Sequence, residues 1–139
     1  MNLHLIKLSV GTEDLEDLRR WQAKRLRATG RLFHRTRMRP RRQEELLSGG
    51  SIYWVIRGQV LARQRLTGIE QVVDADGRRD HHLMLDPELI PVIPRPHRPF
   101  QGWRYLAAKD SPPDLSELPE GARDMPPDMA AELRALGLI

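Results

Sequence analysis

Apolar and polar residues alternate with a period of two along Ser51–Glu70, and the rest of the chain reads as lead-in, cover or tail to that stretch. Ile52, Trp54 and Ile56 share one parity and Tyr53, Val55 and Arg57 the other, as in a strand that sends successive side chains to opposite faces. Gly58-Gln59 then offers the Gly-X pair of a two-residue type II′ turn. Val60-Leu61-Ala62 resumes the strand, with Arg63 and Arg65 on the face of Leu61. The pattern predicts a hairpin with one buried face and two arginines on its return arm.

Leu3 to Val10 predicts a short interior strand, apolar on both faces. Gly11 ends it, and Thr12 to about Ala28 is predicted helical. Thr12 would cap that helix, Glu13, Asp14, Glu16 and Asp17 complement its dipole, and Leu15, Leu18, Trp21 or Gln22, and Leu26 recur at helical spacing. Gly30 suits the position just past its end. Arg31–Arg37 predicts a basic-edged strand, and Pro40–Leu47 a short helix closed by Ser48-Gly49-Gly50. Gly68 marks a bulge, Asp74–Gly77 a hairpin turn, and Arg79–Leu85 the returning strand, with Leu83 and Leu85 on one face. Pro87 to Pro99 holds five prolines and predicts extended, edge-like chain, since proline cannot donate to a ladder. Phe100–Leu106 closes the fold, with Trp103 and Tyr105 packed together. These elements define a single α+β domain over 1–106, followed by a proline-rich acidic tail over 107–139 with a short terminal helix, Met129–Leu136.

Composition narrows the function classes. The chain has 139 residues and no cysteine, so disulfides and thiolate metal sites are excluded. No apolar run is long enough to span a membrane. The N-terminus has neither a basic leader nor a small-residue cleavage site, which makes the cytoplasm the expected location and a membrane partner unexpected. Net charge is only +4, but from Arg19 to Arg42 there are eleven Lys/Arg and no acid, whereas from Ala107 onward seven acids face three bases. That asymmetry predicts a polyanionic partner, or a tail that lies over its own basic face.

His34-Arg35-Thr36-Arg37, Pro40, Gly50–Ile56, Ala62-Arg63-Gln64, Arg95-Pro96 and Arg98–Arg104 together resemble a bacterial family of unknown function, over the start of the chain to about Leu115. The order of helix, basic strand, short helix ending in Gly-Gly, apolar strand and return strand is also similar to the PUA-like superfamily, which includes the ASCH and EVE domains. That resemblance implies a small, bent antiparallel sheet or barrel flanked by helices. It also implies a cleft, lined by basic and aromatic residues, that takes RNA or a modified base. The chain departs from the ASCH pattern where Arg35, Thr36 and Arg37 stand in place of a lysine- and glutamate-containing signature.

The candidate site residues follow from chemistry. Arg35, Arg37, Arg41 and Arg42 carry bidentate donors for phosphate, the main source of nonspecific nucleic-acid affinity. The bland alternative is a solvated basic face neutralised by Glu44, Glu45 and the tail. Arg63 could join them or pair internally with Glu70 or Asp86, and Gln64 offers a donor and an acceptor to a base edge. Trp54 reads as core, while Tyr53 or Phe33 could serve as a stacking platform. The five histidines lack the spacing of a helix or strand metal site, so no metal or other cofactor is expected. No nucleophile elbow, phosphate loop or dinucleotide fingerprint is present, although Ser51, a histidine and Asp86 make a triad on paper. The expected function is a noncatalytic nucleic-acid-binding module. The alternative is a hydrolase acting on a phosphate-bearing or anionic small molecule, which requires His34, His81 or His97 beside a carboxylate or hydroxyl.

Overall fold

The computed structural model describes residues 2–117. The predicted terminal helix Met129–Leu136 lies outside the described residues. Seven strands form one sheet: β1 (Leu3–Leu8), β2 (Phe33–Thr36), β3 (Ser51–Ile56), β4 (Gln59–Val73), β5 (Arg79–Leu85), β6 (Ile90–Pro96) and β7 (Trp103–Ala107). Their order is β2-β5-β4-β3-β1-β7, with β6 paired to β4 off that path. Among the described residues two α-helices accompany them, α1 (Leu15–Thr29) and α2 (Gln43–Leu47).

The central hairpin forms where the period-2 pattern places it, but its turn differs. Ile56 pairs with Gln59, so the two loop residues are Arg57 and Gly58, with φ of 50° and 81°. Both are left-handed, the type I′ geometry whose twist matches that of the flanking strands. Every residue of β3 is buried, because the sheet is covered on both faces.

On one face Leu5, Ile52, Trp54, Ile56, Leu66 and Leu83 pack beneath Leu18 of α1 and Leu46 of α2. On the other, Ile6, Tyr53, Val55, Val60 and Val92 form a second cluster. Residues 108–117 run along this second face. Ile93 donates its amide to the Pro113 carbonyl, and Arg63 makes a bidentate pair with Asp114 at 2.7 and 2.9 Å.

Of the expected sheet or barrel, the described residues form an open sheet: β2 and β7 end the strand order and do not pair with each other. Nor is it purely antiparallel, because β1 and β3 run parallel, with α1, β2 and α2 carrying the chain between them. The sheet is nevertheless bent. β4 pairs with β3 and β6 along its first half and with β5 along its second, and the register shifts between Leu66 and Gly68 as a bulge would shift it. The bend brings His34 of β2 into edge contact with Trp54 of β3, ring centroids 5.7 Å apart, although two strands separate them in the order.

Helix α1 begins with the first residue of the apolar spacing, Leu15, and so later than a Thr12 cap would start it. Asp14 rather than Thr12 is its cap, accepting from the Asp17 amide at 2.7 Å, while the Thr12 hydroxyl bonds Ser9. A carboxylate is the stronger acceptor for a helix N-terminus. Gly30 closes the helix in the left-handed conformation, its amide reaching the Leu26 carbonyl at 2.7 Å. Helix α2 is shorter than predicted because the Tyr105 hydroxyl accepts from the amides of Arg41 and Arg42 at 2.8 and 3.1 Å, which holds those residues outside the helix. The proline-rich stretch becomes β6, and its prolines are tolerated because, among the described residues, β6 has only β4 as a strand partner.

Candidate functional site

The site grows from the helix that covers the sheet. Of the two positions that could face inward at the third turn of α1, Gln22 is buried and Trp21 is 60% exposed. Gln22 points inward because it meets Gln64 of β4 in a reciprocal pair of amide bonds, 3.0 and 2.9 Å. Gln64 also accepts from the Trp54 indole at 3.1 Å and donates to the Asp86 carbonyl at 2.8 Å. Two donated and two accepted bonds use the whole amide, as a buried amide requires. This knot docks α1 onto the sheet and leaves a cleft of about 310 Å³ between the helix, the loop Ser9–Thr12 and the strands β1 and β2.

Lys7 of β1, Arg25 of α1 and Arg35 of β2 line that cleft, together with Trp21, Phe33, His34 and Trp54. Two of these cations have no acid partner among the described residues. The Lys7 ammonium makes one long bond, 3.5 Å, to the Leu8 carbonyl, and burial lowers its pKa. The Arg25 guanidinium lies over the rings of Trp21 and Phe33, at 5.3 and 4.7 Å. Arg35 is bound to the buried Asp80 through its Nε at 2.7 Å. Asp17, the acid in the lining, accepts the Glu13 amide and pairs with Arg20.

His34 occupies the cleft wall. Its Nε2 is buried and has no hydrogen-bond partner among the described residues. Burial, followed by the nearby positive charges of Lys7 and Arg25, pushes its pKa down to about 4, so the imidazole is neutral at pH 7. A neutral imidazole presents one donor and one acceptor nitrogen. The cleft therefore combines unpaired cations, aromatic faces and one unspent polar atom.

The residues singled out from sequence scatter around this cleft. Arg35 lines it. Arg37 is exposed at the end of β2, and Arg41 and Arg42 lie beyond it in a shallow depression shared with Glu44 and Glu45, where Arg42 pairs with Glu45 at 2.9 Å. Tyr53 is 4% exposed on the opposite face, where burial raises its pKa. Arg63 is on that face too, bound to Asp114 and to the Ser51 hydroxyl at 3.0 Å; Glu70 instead binds Arg31 at 2.8 Å. Gln64 is fully buried in the knot just described.

Sequence reasoning does not single out Lys7, Trp21, Arg25 or His34 as nucleic-acid-binding residues. For Trp21 and Arg25 a signal is present: a tryptophan four residues before an arginine on a helix places the cation over the ring.

Among the described residues, no imidazole nitrogen of His34, His81 or His97 bonds a side-chain carboxylate or hydroxyl. The His34 Nε2 and His81 Nδ1 are unpartnered, and the His97 Nδ1 meets the Arg98 carbonyl at 2.8 Å. Ser51 is buried and engaged by Arg63, so it does not form a triad. Among the same residues, no three His, Asp or Glu side chains gather as a metal site, and no helix is long and apolar enough to cross a membrane.

A family model described as a protein of unknown function, DUF1489, matches residues 5–139. No curated protein and no solved structure matches the chain.

Proposed function

The chain belongs to the DUF1489 family, and we propose that it is a noncatalytic nucleic-acid-binding module whose contact centre is the cleft between α1, β1 and β2. One observation carries this reading: Lys7 and Arg25 line an aromatic cleft, and no carboxylate among the described residues neutralises them. Cations of this kind favour phosphate, and the exposed Trp21 offers a face on which a base stacks, whereas the Phe33 ring is already stacked on His82 at 4.0 Å and carries Arg25 at 4.7 Å. The acid-free basic stretch Arg19–Arg42 supplies the surroundings, since most of α1 and all of β2, which form two walls of the cleft, lie within it. The element order that resembles PUA-like domains supports the same class of ligand, RNA or a modified base.

The test is a fluorescence anisotropy titration against single-stranded RNA, duplex RNA and duplex DNA at several salt concentrations. Lys7→Met and Arg25→Gln together should weaken binding and lower the salt slope by roughly 1.4 for a single strand, at about 0.7 for each phosphate that is no longer neutralised. An unchanged slope in the double variant would remove this cleft from the interface.

A further inference from the structure

Resting on that reading, we infer that the cleft takes one unstacked base from a single strand, with Trp21 as the stacking platform at its rim and His34 facing the base edge. Size is the first argument. A volume of about 310 Å³ lies at the lower end of small-molecule pockets, room for one nucleotide and not for a duplex. The lining is the second. A site for bare phosphate needs donors alone, whereas this one has two indoles and a phenyl ring in its walls. Trp21 is the largest of the exposed apolar side chains among the described residues, and it belongs to neither apolar cluster of the core.

The imidazole points to the same ligand. Buried polar atoms in folded proteins are nearly always paired, and among the described residues the His34 Nε2 is not. A base edge carries donors and acceptors of the kind that would complete it, and Lys7 and Arg25 stand beside it to receive the attached phosphate. Bases are reached this way only when they are splayed out of a single strand or flipped from a duplex.

The probes are uridine and adenosine 5′-monophosphates, ribose 5-phosphate, and a short single-stranded RNA with its duplex form, each titrated against the full chain. A nucleotide should bind about 5- to 150-fold more tightly than ribose 5-phosphate, the range that stacking of one base supplies. Trp21→Ala should abolish that difference and Trp21→Phe should keep most of it; exposure of the side chain leaves the fold intact in both. The single strand should displace the nucleotide, and the duplex should not.

Equal binding of nucleotide and ribose 5-phosphate, or a difference that survives Trp21→Ala, overturns the base pocket. If the strands still bind in a salt-dependent way, the nucleic-acid reading stands without it. Base-dependent nucleotide binding that no strand displaces overturns the nucleic-acid reading and leaves a mononucleotide site. Absence of binding by every probe overturns both.

Discussion

At the scale of single residues, His34 and Trp21 carry the account, and both run against ordinary burial. An imidazole nitrogen shut away from water without a partner costs about 1–3 kcal/mol. His34→Phe removes that nitrogen while keeping a ring against Trp54, so it should raise stability by an amount in that range and weaken ligand binding. The pH dependence has a definite sign. The folded pKa of His34 lies near 4 and its ordinary value is 6.5, so the unfolded chain takes up the proton first as pH falls. Stability is fully present above about pH 6.5 and is lost down to about pH 4, at up to ~1.4 kcal/mol per pH unit from this group. His4 and His82, both lowered chiefly by burial, act in the same direction. Urea unfolding at pH 7 and pH 5 should show a smaller acid loss in His34→Phe than in the parent. An equal loss would mean that His34 does not sense its burial.

Tyr53 and Gln64 show why such residues are hard to place from sequence. Parity assigns Tyr53 to the face away from Trp54 correctly, but the period of a strand cannot say that residues 108–117 cover that face. Gln64 looks free to read a base because its partners, Gln22, Trp54 and the Asp86 carbonyl, come from three other segments.

At the scale of elements, the hydrophobic period finds helix α1, the hairpin β3–β4 and the strand β5 within a few residues, because local alternation and caps decide them. It misses what depends on distant chain. The start of α2 is set by the Tyr105 hydroxyl, and the parallel pairing of β1 with β3 is visible only once both strands are in place. Gly50 shows the same dependence. It joins α2 to β3 where a Cβ would collide with the carbonyl oxygens of Leu3 and Leu46, both backbone atoms that cannot swing aside. Gly50→Ala should therefore cost at least about 2 kcal/mol, the scale of an overpacked core. Gly30→Ala, with open space around it, should cost only the left-handed conformation, about 1 kcal/mol. Thermal unfolding of the two variants checks the order, and equal losses would contradict the close approach.

At the scale of the whole molecule, the bent sheet has two faces with different work. The described part of the acidic tail binds one face through Asp114 and Pro113, where it neutralises Arg63. The cleft opens on the other, under α1, where no acid among the described residues neutralises Lys7 or Arg25. Among the described residues, an acid of the tail, Asp114, thus lies on one face and the cations of the cleft on the other, the condition for drawing a polyanion to one side. The chain's three tryptophans report on this arrangement separately. Trp21 is at the cleft rim, Trp54 in its wall, and Trp103 on β7, its indole donating to the Met38 carbonyl at 3.1 Å. The most direct test is to follow the three indole N–H resonances in a two-dimensional NMR titration with single-stranded RNA. Trp21 should move most, Trp54 should move with it, and Trp103 should stay in place. Movement of Trp103 with Trp21 fixed would put the interface elsewhere and contradict it.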